Sequence, residues 1–489
     1  MTYIGIDLGT SAVKAVLVDL AENLVASASC GLNVKRPHPH WSEQDPADWI
    51  AATIKVLGEL RRAAPDAFRA CEGIGLSGQM HGAVLLDEAD TPLRPCILWN
   101  DGRSVAECRE LEAAVSDART ITGNIAMPGF TAPKLAWVRK HEPEIFAKIR
   151  HVLLPKAYLR LVLAGEHAED MSDASGTLWL DVGRREWSDR MIEATGLRRT
   201  QMPRLVEGSQ PCGRMRRELS ASLGFDTPPV LAGSAGDNAA GAIGVGAVNA
   251  GDTFLSLGTS GVLWRTTAGF EPRVDGAVHA FCHALPGLWH QMSVHLSAAS
   301  SLKWWSDIAG CSEVALLAPL GDAVARPAPV LFTPYLSGER TPHNDPHMRG
   351  SFTQLGNETD RATMTQAVLE GVAFAFKDGK RAIEGGGAPI ESAMVIGGGG
   401  RSRLWLSILA NVLGIVLRQY PGAEAGGAFG AARLARLAAT GETPSSVCRQ
   451  PAGTPTCIAP DADKFALYAE QYERWQRVAR FNQQLALRN

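Results

Sequence analysis

The sequence predicts an α/β fold built twice, as two similar halves meeting above a central cleft. Three observations carry this. Short β-rich runs alternate with amphipathic stretches of helical period along the chain. The opening segment YIGIDLGTSAVKA is echoed by FLSLGTSGVLW from Phe254: apolar strand, L-G-T-S, apolar strand. Each copy opens one half, which points to duplication. The boundary falls near residue 247 without a polar linker, so the halves are 1–246 and 247–489, with a hinge between them.

The elements follow in order. Tyr3–Leu8 and Val13–Asp19 are β-rich runs joined by Gly9, Thr10 and Ser11, a hairpin. Asp45 caps a helix over Asp45–Arg62, Pro46 takes its first position, and Trp49, Thr53, Val56, Leu57 and Leu60 share one face. Gly73–Ser77 reads as a buried strand and Ile97–Asn100 as the end of another, with helices over Ser104–Val115, Pro133–His141 and Pro155–Leu163. In the second half, strands Asp252–Leu257 and Val262–Thr266 flank Gly258, Thr259, Ser260 and Gly261. A long helix is expected over Asp360–Ile383, a strand Ala393–Ile396 opening into Gly397–Gly400, and helices over Ser402–Leu413 and Gly427–Ala439. The stretch Asp461–Leu487 is amphipathic through Phe465, Tyr468, Tyr472, Trp475 and Val478.

Composition narrows the function. The chain has 489 residues, enough for two or three domains, with 45% hydrophobic and 20% charged residues, ordinary globular values. Lys plus Arg is 48 against Asp plus Glu 51, a net charge of -3, which leaves no basic excess for a nucleic-acid backbone. The amino end has no basic leader, and Ala239–Gly251 is too short and Gly-rich to span a bilayer, so no membrane partner is expected. Nine scattered cysteines without a C-x-x-C pair read as reduced thiols in the cytoplasm.

The chemistry points to phosphate. A Walker A string is absent, yet three Gly-rich turns each follow an apolar strand: Gly9-Thr10-Ser11, Gly258-Thr259-Ser260 and Gly397-Gly398-Gly399-Gly400. Glycine lets backbone N–H groups approach an anion, and Thr or Ser hydroxyls add donors. One such turn alone is a tight hairpin; three, two of them in the same wording, point to phosphate cradling. Asp7, just before the first turn, is either a turn-capping carboxylate or one that holds Mg²⁺ beside nucleotide phosphates. Asp237, in GSAGDN at 233–238, is either the cap of the following small-residue helix or a base for an attacking hydroxyl. The pairs His279/His283 and His343/His347 have zinc spacing but no third ligand, and Trp304 and Trp305 read as core.

Longer strings carry a family resemblance over essentially the whole chain. They are IGIDLGTS (4–11), HPHWSEQDP (38–46), SGQMHG (77–82), ILWNDGR (97–103), GFTAPKLAW (129–137), GDNAAGAIGVG (236–246), LSLGTSG (255–261), PYLSGERTPH (334–343) and VLEGVAFAF (368–376). The chain resembles the carbohydrate kinases named for their F-G-G-Y signature, within the superfamily of actin, hexokinase and the heat-shock-protein ATPase domain. Within the family, Met80-His81 in SGQMHG resembles members acting on D-xylulose more than those acting on glycerol, ribulose or gluconate.

The resemblance implies two ribonuclease-H-like domains, the first binding sugar and the second nucleotide. It implies ATP and Mg²⁺, with D-xylulose phosphorylated at its C5 hydroxyl. Met80, His81, Asn100, Asp101, Asp237 and Asn238 would line the sugar, Gly258, Thr259 and Ser260 the phosphates, and Gly397–Gly400 with Ser402 the adenosine. Asp237 would orient the hydroxyl and collect its proton, and Asp7 would hold the metal. A homodimer is common among such proteins. Ser407 and Asn411 stand where relatives carry Gln and Asp, and Gln354 where they often have Gly, departures that bear on nucleotide grip. The alternatives are a kinase for another ketose or polyol, and a non-catalytic sugar-binding regulator on the same fold.

Overall fold

The computed structural model describes residues 1–420, 426–451 and 453–486. Its first sheet begins with β1 (Thr2–Leu8), β2 (Ala12–Asp19) and β3 (Leu24–Gly31), an antiparallel meander. It continues with β4 (Cys71–Gly78), β5 (Pro211–Arg214) and β6 (Val230–Ala232), in spatial order β5-β6-β4-β1-β2-β3. Strands β1, β4 and β6 run parallel. The second sheet is built from β7 (Thr253–Leu257), β8 (Gly261–Thr267), β9 (His279–Cys282), β10 (Trp289–His295), β11 (Ser392–Ile396), β12 (Val416–Gln419) and β13 (Thr456–Ile458). Its order is β9-β10-β8-β7-β11-β12-β13, with β7, β11 and β12 parallel. Each sheet therefore holds three adjacent antiparallel strands, the first of which pairs in parallel with a later one. The short L-G-T-S echo is the visible end of that repeat.

Helix α1 (Pro46–Ala63) is capped as its sequence predicts: the Asp45 carboxylate accepts from Ala47 N–H at 3.0 Å, and its whole predicted apolar face is buried. With α2 (Pro155–Ala164) it supplies side chains to the apolar core against the first sheet. The second sheet is covered by α4 (Arg361–Glu384), α5 (Arg403–Leu413) and α7 (Ala462–Ala486), after the central α3 (Asp237–Val245). On α7, Tyr468, Tyr472 and Trp475 are buried but Phe465 is 40% exposed, so the inward stripe starts later than predicted; Leu487 lies outside the described residues.

Helix α6 (Gly426–Thr440) is the element that joins the halves. It lies between β12 and β13 of the second sheet in sequence but packs on β1 and β4 of the first. Glycines make that possible. Gly5 and Gly75 are direct partners across β1 and β4; a Cβ on either would lie 1.7 Å from the Ala428 carbonyl oxygen or 1.9 Å from that of Ala431. Helix α6 also crosses α3, where Gly430 sits so close that a Cβ would be 1.8 Å from the Ala240 carbonyl oxygen. Arg433 on α6 binds Glu22 in the β2–β3 turn with two hydrogen bonds and donates to the Ile243 and Gly244 carbonyls at the end of α3.

Candidate active site

Parallel α/β sheets present ligands at the carboxyl ends of their strands, and the register of the first sheet assembles a site there. Asp7 on β1 pairs with Ser77 on β4, and Ala235–Gly236 pairs in parallel with Ser77–Gly78. Asp237 follows as the first residue of α3, so both acidic candidates meet at one edge. The Ser77 hydroxyl donates to Asp7 Oδ1 at 2.8 Å. Asp237 Oδ1 accepts from the Asn238 backbone N–H at 2.7 Å and its side-chain amide at 2.9 Å, which fixes the carboxylate's orientation.

The charge of Asp7 adds to the cost of ionising Asp237. Burial pushes the Asp7 pKa up, opposed in part by the Ser77 hydrogen bond. Asp237 is pushed up to about 7, by loss of hydration first and by the charge of Asp7 second. Its side chain still reaches solvent, so the cleft walls remove only part of its water shell. Neither carboxylate has an ion-pair partner among the described residues. Two neighbouring carboxylates without a direct ion-pair partner are the oxygen donor set a hard divalent cation takes, so the residues present fit such an ion.

Met80 and His81 line the neighbouring wall, and two glycines make room for them. A Cβ on Gly236 would lie 2.9 Å from Met80 Sδ, and one on Gly176 2.5 Å from the His81 ring. His81 adopts a left-handed backbone (φ 69), held by Thr131 Oγ1–H and Lys134 Nζ–H donating to its carbonyl at 3.1 and 2.8 Å. Its ring is neutral: burial drops the pKa to about 3. Nδ1 lies 2.7 Å from the Gly176 carbonyl, which only accepts, so Nδ1 carries the proton and Nε2 is left as an acceptor for a ligand hydroxyl.

Other predicted positions divide by how much of their polar capacity is spent. Asn100 and Ser11 are exposed and engage no other described side chain. Asp101 is buried; it accepts from Ser42 N–H at 2.6 Å and takes Arg103 through both carboxylate oxygens. Thr10 donates to Gln79 Oε1 at 3.0 Å and accepts from Trp99 Nε1–H at 2.9 Å, while Gly9 N–H closes the hairpin on the Ala12 carbonyl. In the second half, Thr259 and Ser260 are exposed at the end of β7, and the Gly397–Gly400 turn lies against Leu257 and Gly258 just before them. A Cβ on Gly397 would fall 3.1 Å from Gly258 N, and one on Gly399 2.6 Å from Leu257 Cγ. Gly398 is open and Gly400 is buried. Ser402 caps α5 through Trp405 N–H. Of the departures, Asn411 accepts from Asp461 N–H at 2.7 Å, Ser407 is half-buried on α5, and Gln354 holds a left-handed φ of 66 that glycine would adopt freely.

Sequence reading missed three participants. Arg340, in the GERT segment of the second half, stands close enough to His81 and His279 of the pocket wall to depress both. Its guanidinium makes no hydrogen bond or ion pair among the described residues; its place within PYLSGERTPH (334–343) was the available signal. Gln44 and Gln79 form a second unseen network, with Gln79 Nε2–H donating to Gln44 Oε1 at 2.9 Å beneath the first turn. The third lies behind Asp237. Lys156 is fully buried against Glu169 (2.7 Å), Asp170 (2.8 Å) and Asp173 (3.4 Å). Asp170 holds Ser172 Oγ, which accepts from Gly236 N–H at 3.1 Å, and Arg160 donates to the Gly233 carbonyl, so this cluster braces the turn carrying Asp237. The cluster lies within residues 156–173, far in sequence from the Gly233–Asp237 turn it braces. Three of the four paired histidines are tied into the structure, His279 to Asn124, His283 to the Ala247 carbonyl and His343 to the Tyr335 hydroxyl, while His347 is exposed. Trp305 is core, as predicted, and Trp304 packs on Phe332 and Phe352.

Comparison with known proteins places this arrangement. The FGGY family of carbohydrate kinases matches twice, its N-terminal domain over residues 2–244 and its C-terminal domain over 253–439. The chain belongs to the FGGY carbohydrate kinases. It is 49% identical over 480 residues to a xylulose kinase of Escherichia coli K12, covering 97% of this chain and 98% of that one. A crystal structure of a xyloylose kinase from Brucella ovis is 52% identical, with a TM-score of 0.96 over 99% of this chain and 100% of its own. A Plasmodium falciparum glycerol kinase crystallised with ADP shares the fold at a TM-score of 0.87 and 19% identity. As an FGGY kinase the chain is a phosphotransferase with an alcohol acceptor, and its ATP chemistry calls for a divalent metal. No helix among the described residues is long and apolar enough to cross a membrane.

Proposed function

We propose that the chain transfers the γ-phosphoryl group of ATP to the C5 hydroxyl of D-xylulose, giving D-xylulose 5-phosphate and ADP. The observation that carries this is the 49% identity, over nearly the full length of both chains, to xylulose kinase. The pocket geometry supports it: Met80 and neutral His81, its Nε2 free to accept a sugar hydroxyl, stand beside the Asp237 turn. Residues 1–246 bind the sugar through Met80, His81, Asn100, Asp101 and Asn238, with Asp101 acting mainly by holding its loop. Residues 247–489 bind the nucleotide, with Gly258, Thr259 and Ser260 at its phosphates and Gly397–Gly400 with Ser402 at adenosine. Gly9, Thr10 and Ser11 close over the phosphates from the other side.

Asp237 orients the hydroxyl. The oxygen–phosphorus bond to the sugar forms as the bond to ADP breaks, and the hydroxyl proton passes late to Asp237. In a loose transition state early deprotonation is not required, which suits a carboxylate base. Asp7, with Asp237 beside it, would hold Mg²⁺, which when bound offsets charge on the phosphates. The nine free thiols, six of them buried, support a reducing cytoplasmic setting.

The test is ADP release with MgATP against D-xylulose, L-ribulose, glycerol, gluconate and D-arabitol, with a no-sugar control. A clear preference for D-xylulose is expected. Preference for another polyol would discard the substrate and keep the chemistry. Silence across the panel from folded protein would favour a regulatory role.

A further inference from the structure

Away from the active site, three side chains from separate segments converge on the surface. Asp90 ends a tight turn in which the Asp87 carboxylate accepts from Ala89 and Thr91 N–H at 2.9 Å each. His151 opens the strand His151–Leu153, registered opposite Leu86 in an antiparallel pair. His167 precedes the strand Ala168–Asp170, and its carbonyl accepts from Arg204 N–H at 3.1 Å. Backbone pairing thus fixes all three positions independently of their side chains.

The side chains nevertheless point at one another. One ring nitrogen from each histidine and one Asp90 oxygen all lie within 4.8 Å of each other. His167 Nε2 is 2.8 Å from Asp90 Oδ1, and the two rings are 4.5 Å apart, tilted by 44°. The His151 ring makes no hydrogen bond among the described residues. Arg150 and Asp90 are charged neighbours of opposite sign beside it. All three residues are half-buried, which leaves the outer side open to water.

We propose that Asp90, His151 and His167 form a binding site for a divalent transition metal of the zinc class. Two imidazole nitrogens are borderline donors that select zinc or nickel over magnesium, and one carboxylate oxygen and water complete the shell. The carboxylate offsets the nearby Arg150 charge. The metal takes the place of the His167–Asp90 hydrogen bond, the imidazole proton resting on Nδ1, and ties the Asp90 turn to His151 and His167, 61 and 77 residues later in the chain. It would thus act as a clasp on the outer face of the first half, separate from Asp7 and Asp237.

The probe is Zn²⁺ alone, titrated calorimetrically into metal-stripped full-length protein with excess Mg²⁺ present, alongside His151→Ala, His167→Ala and the double variant. One equivalent in the wild type is expected to weaken at least ~10-fold in each single variant and vanish in the double. Zn²⁺ is also expected to raise the melting temperature of the wild type and not that of the double variant. Kinase turnover in Mg²⁺ should be unchanged in all of them, which separates misfolding from ligand loss. Equal stoichiometry and affinity in wild type and double variant, as binding at cysteines would give, overturns the site. So does a wild type that binds no Zn²⁺.

Discussion

Asp237 sits one hydrogen-bonded residue from Asn238 and within the field of Asp7, with its pKa raised to about 7. The sign for activity follows directly. Below that value the carboxyl is protonated and cannot collect a proton, so kcat/KM for the sugar falls on the acid side and levels off above it. Asp237→Asn should cost about 10²–10⁴-fold in kcat and remove the acid limb, with sugar binding retained. A wild-type profile that is flat from about pH 6 to 8 would remove Asp237 from the proton transfer. Arg340 invites the same treatment. An uncommitted guanidinium beside the sugar wall can stabilise charge as the phosphoryl group moves, and Arg340→Met should lower kcat/KM by about 10²-fold, with Arg340→Lys recovering part. Unchanged kinetics in Arg340→Met would make it a spectator. Lys156 acts through the turn rather than on substrate. Lys156→Met leaves three buried carboxylates without their cation, and denaturant titration should show a loss of about 3–5 kcal/mol, partly restored by adding Asp173→Asn.

At the scale of elements, the strands and helices were legible because local rules dominate them. Asp45, Pro46 and the Trp49–Leu60 stripe specify α1 by capping and period, and the structure has that helix. The candidate site was legible where a carboxylate follows a strand: Asp7 and Asp237, which the sheet register brings to one edge. What sequence could not show is partner choice. Nothing in the small-residue run of α6 says that it leaves its own sheet for β1 and β4, because contacts made by backbone atoms have no side-chain signature. Gly5 and Gly75 were read as strand residues, and only their registry across β1 and β4 reveals them as the floor for a helix. Likewise Lys156 and its carboxylates look like ordinary surface charges until the fold buries them. The glycine floor is testable. Gly75→Val must push α6 off the sheet, and the thermal melt should show a loss of about 1–3 kcal/mol or more. An unchanged melting temperature would mean the helix tolerates displacement.

For the whole molecule, the decisive feature is that α3 and α6 cross between the two sheets at bare backbone. Asp237 begins α3, and α6 starts where a Cβ on Gly427 would lie 3.1 Å from Asp7 Oδ1, so the crossing holds the two acidic residues as well as the two halves. Arg433 locks it by capping α3 and gripping Glu22. A kinase that excludes water by closing its halves needs this joint to move as a unit while the residues at its ends stay aligned. Gly430→Ala tests that requirement with one methyl group. The added carbon would fall 1.8 Å from the Ala240 carbonyl, so the helices must separate although no catalytic side chain has changed. The expected outcome is a lower kcat for sugar phosphorylation, with ATP hydrolysis in the absence of acceptor rising relative to it, because the cleft closes less tightly. Stability should fall by about 1–3 kcal/mol. If stability falls while the ratio of phosphorylation to hydrolysis stays at the wild-type value, the crossing is only a structural joint, and alignment of Asp7 with Asp237 resides in the first sheet alone.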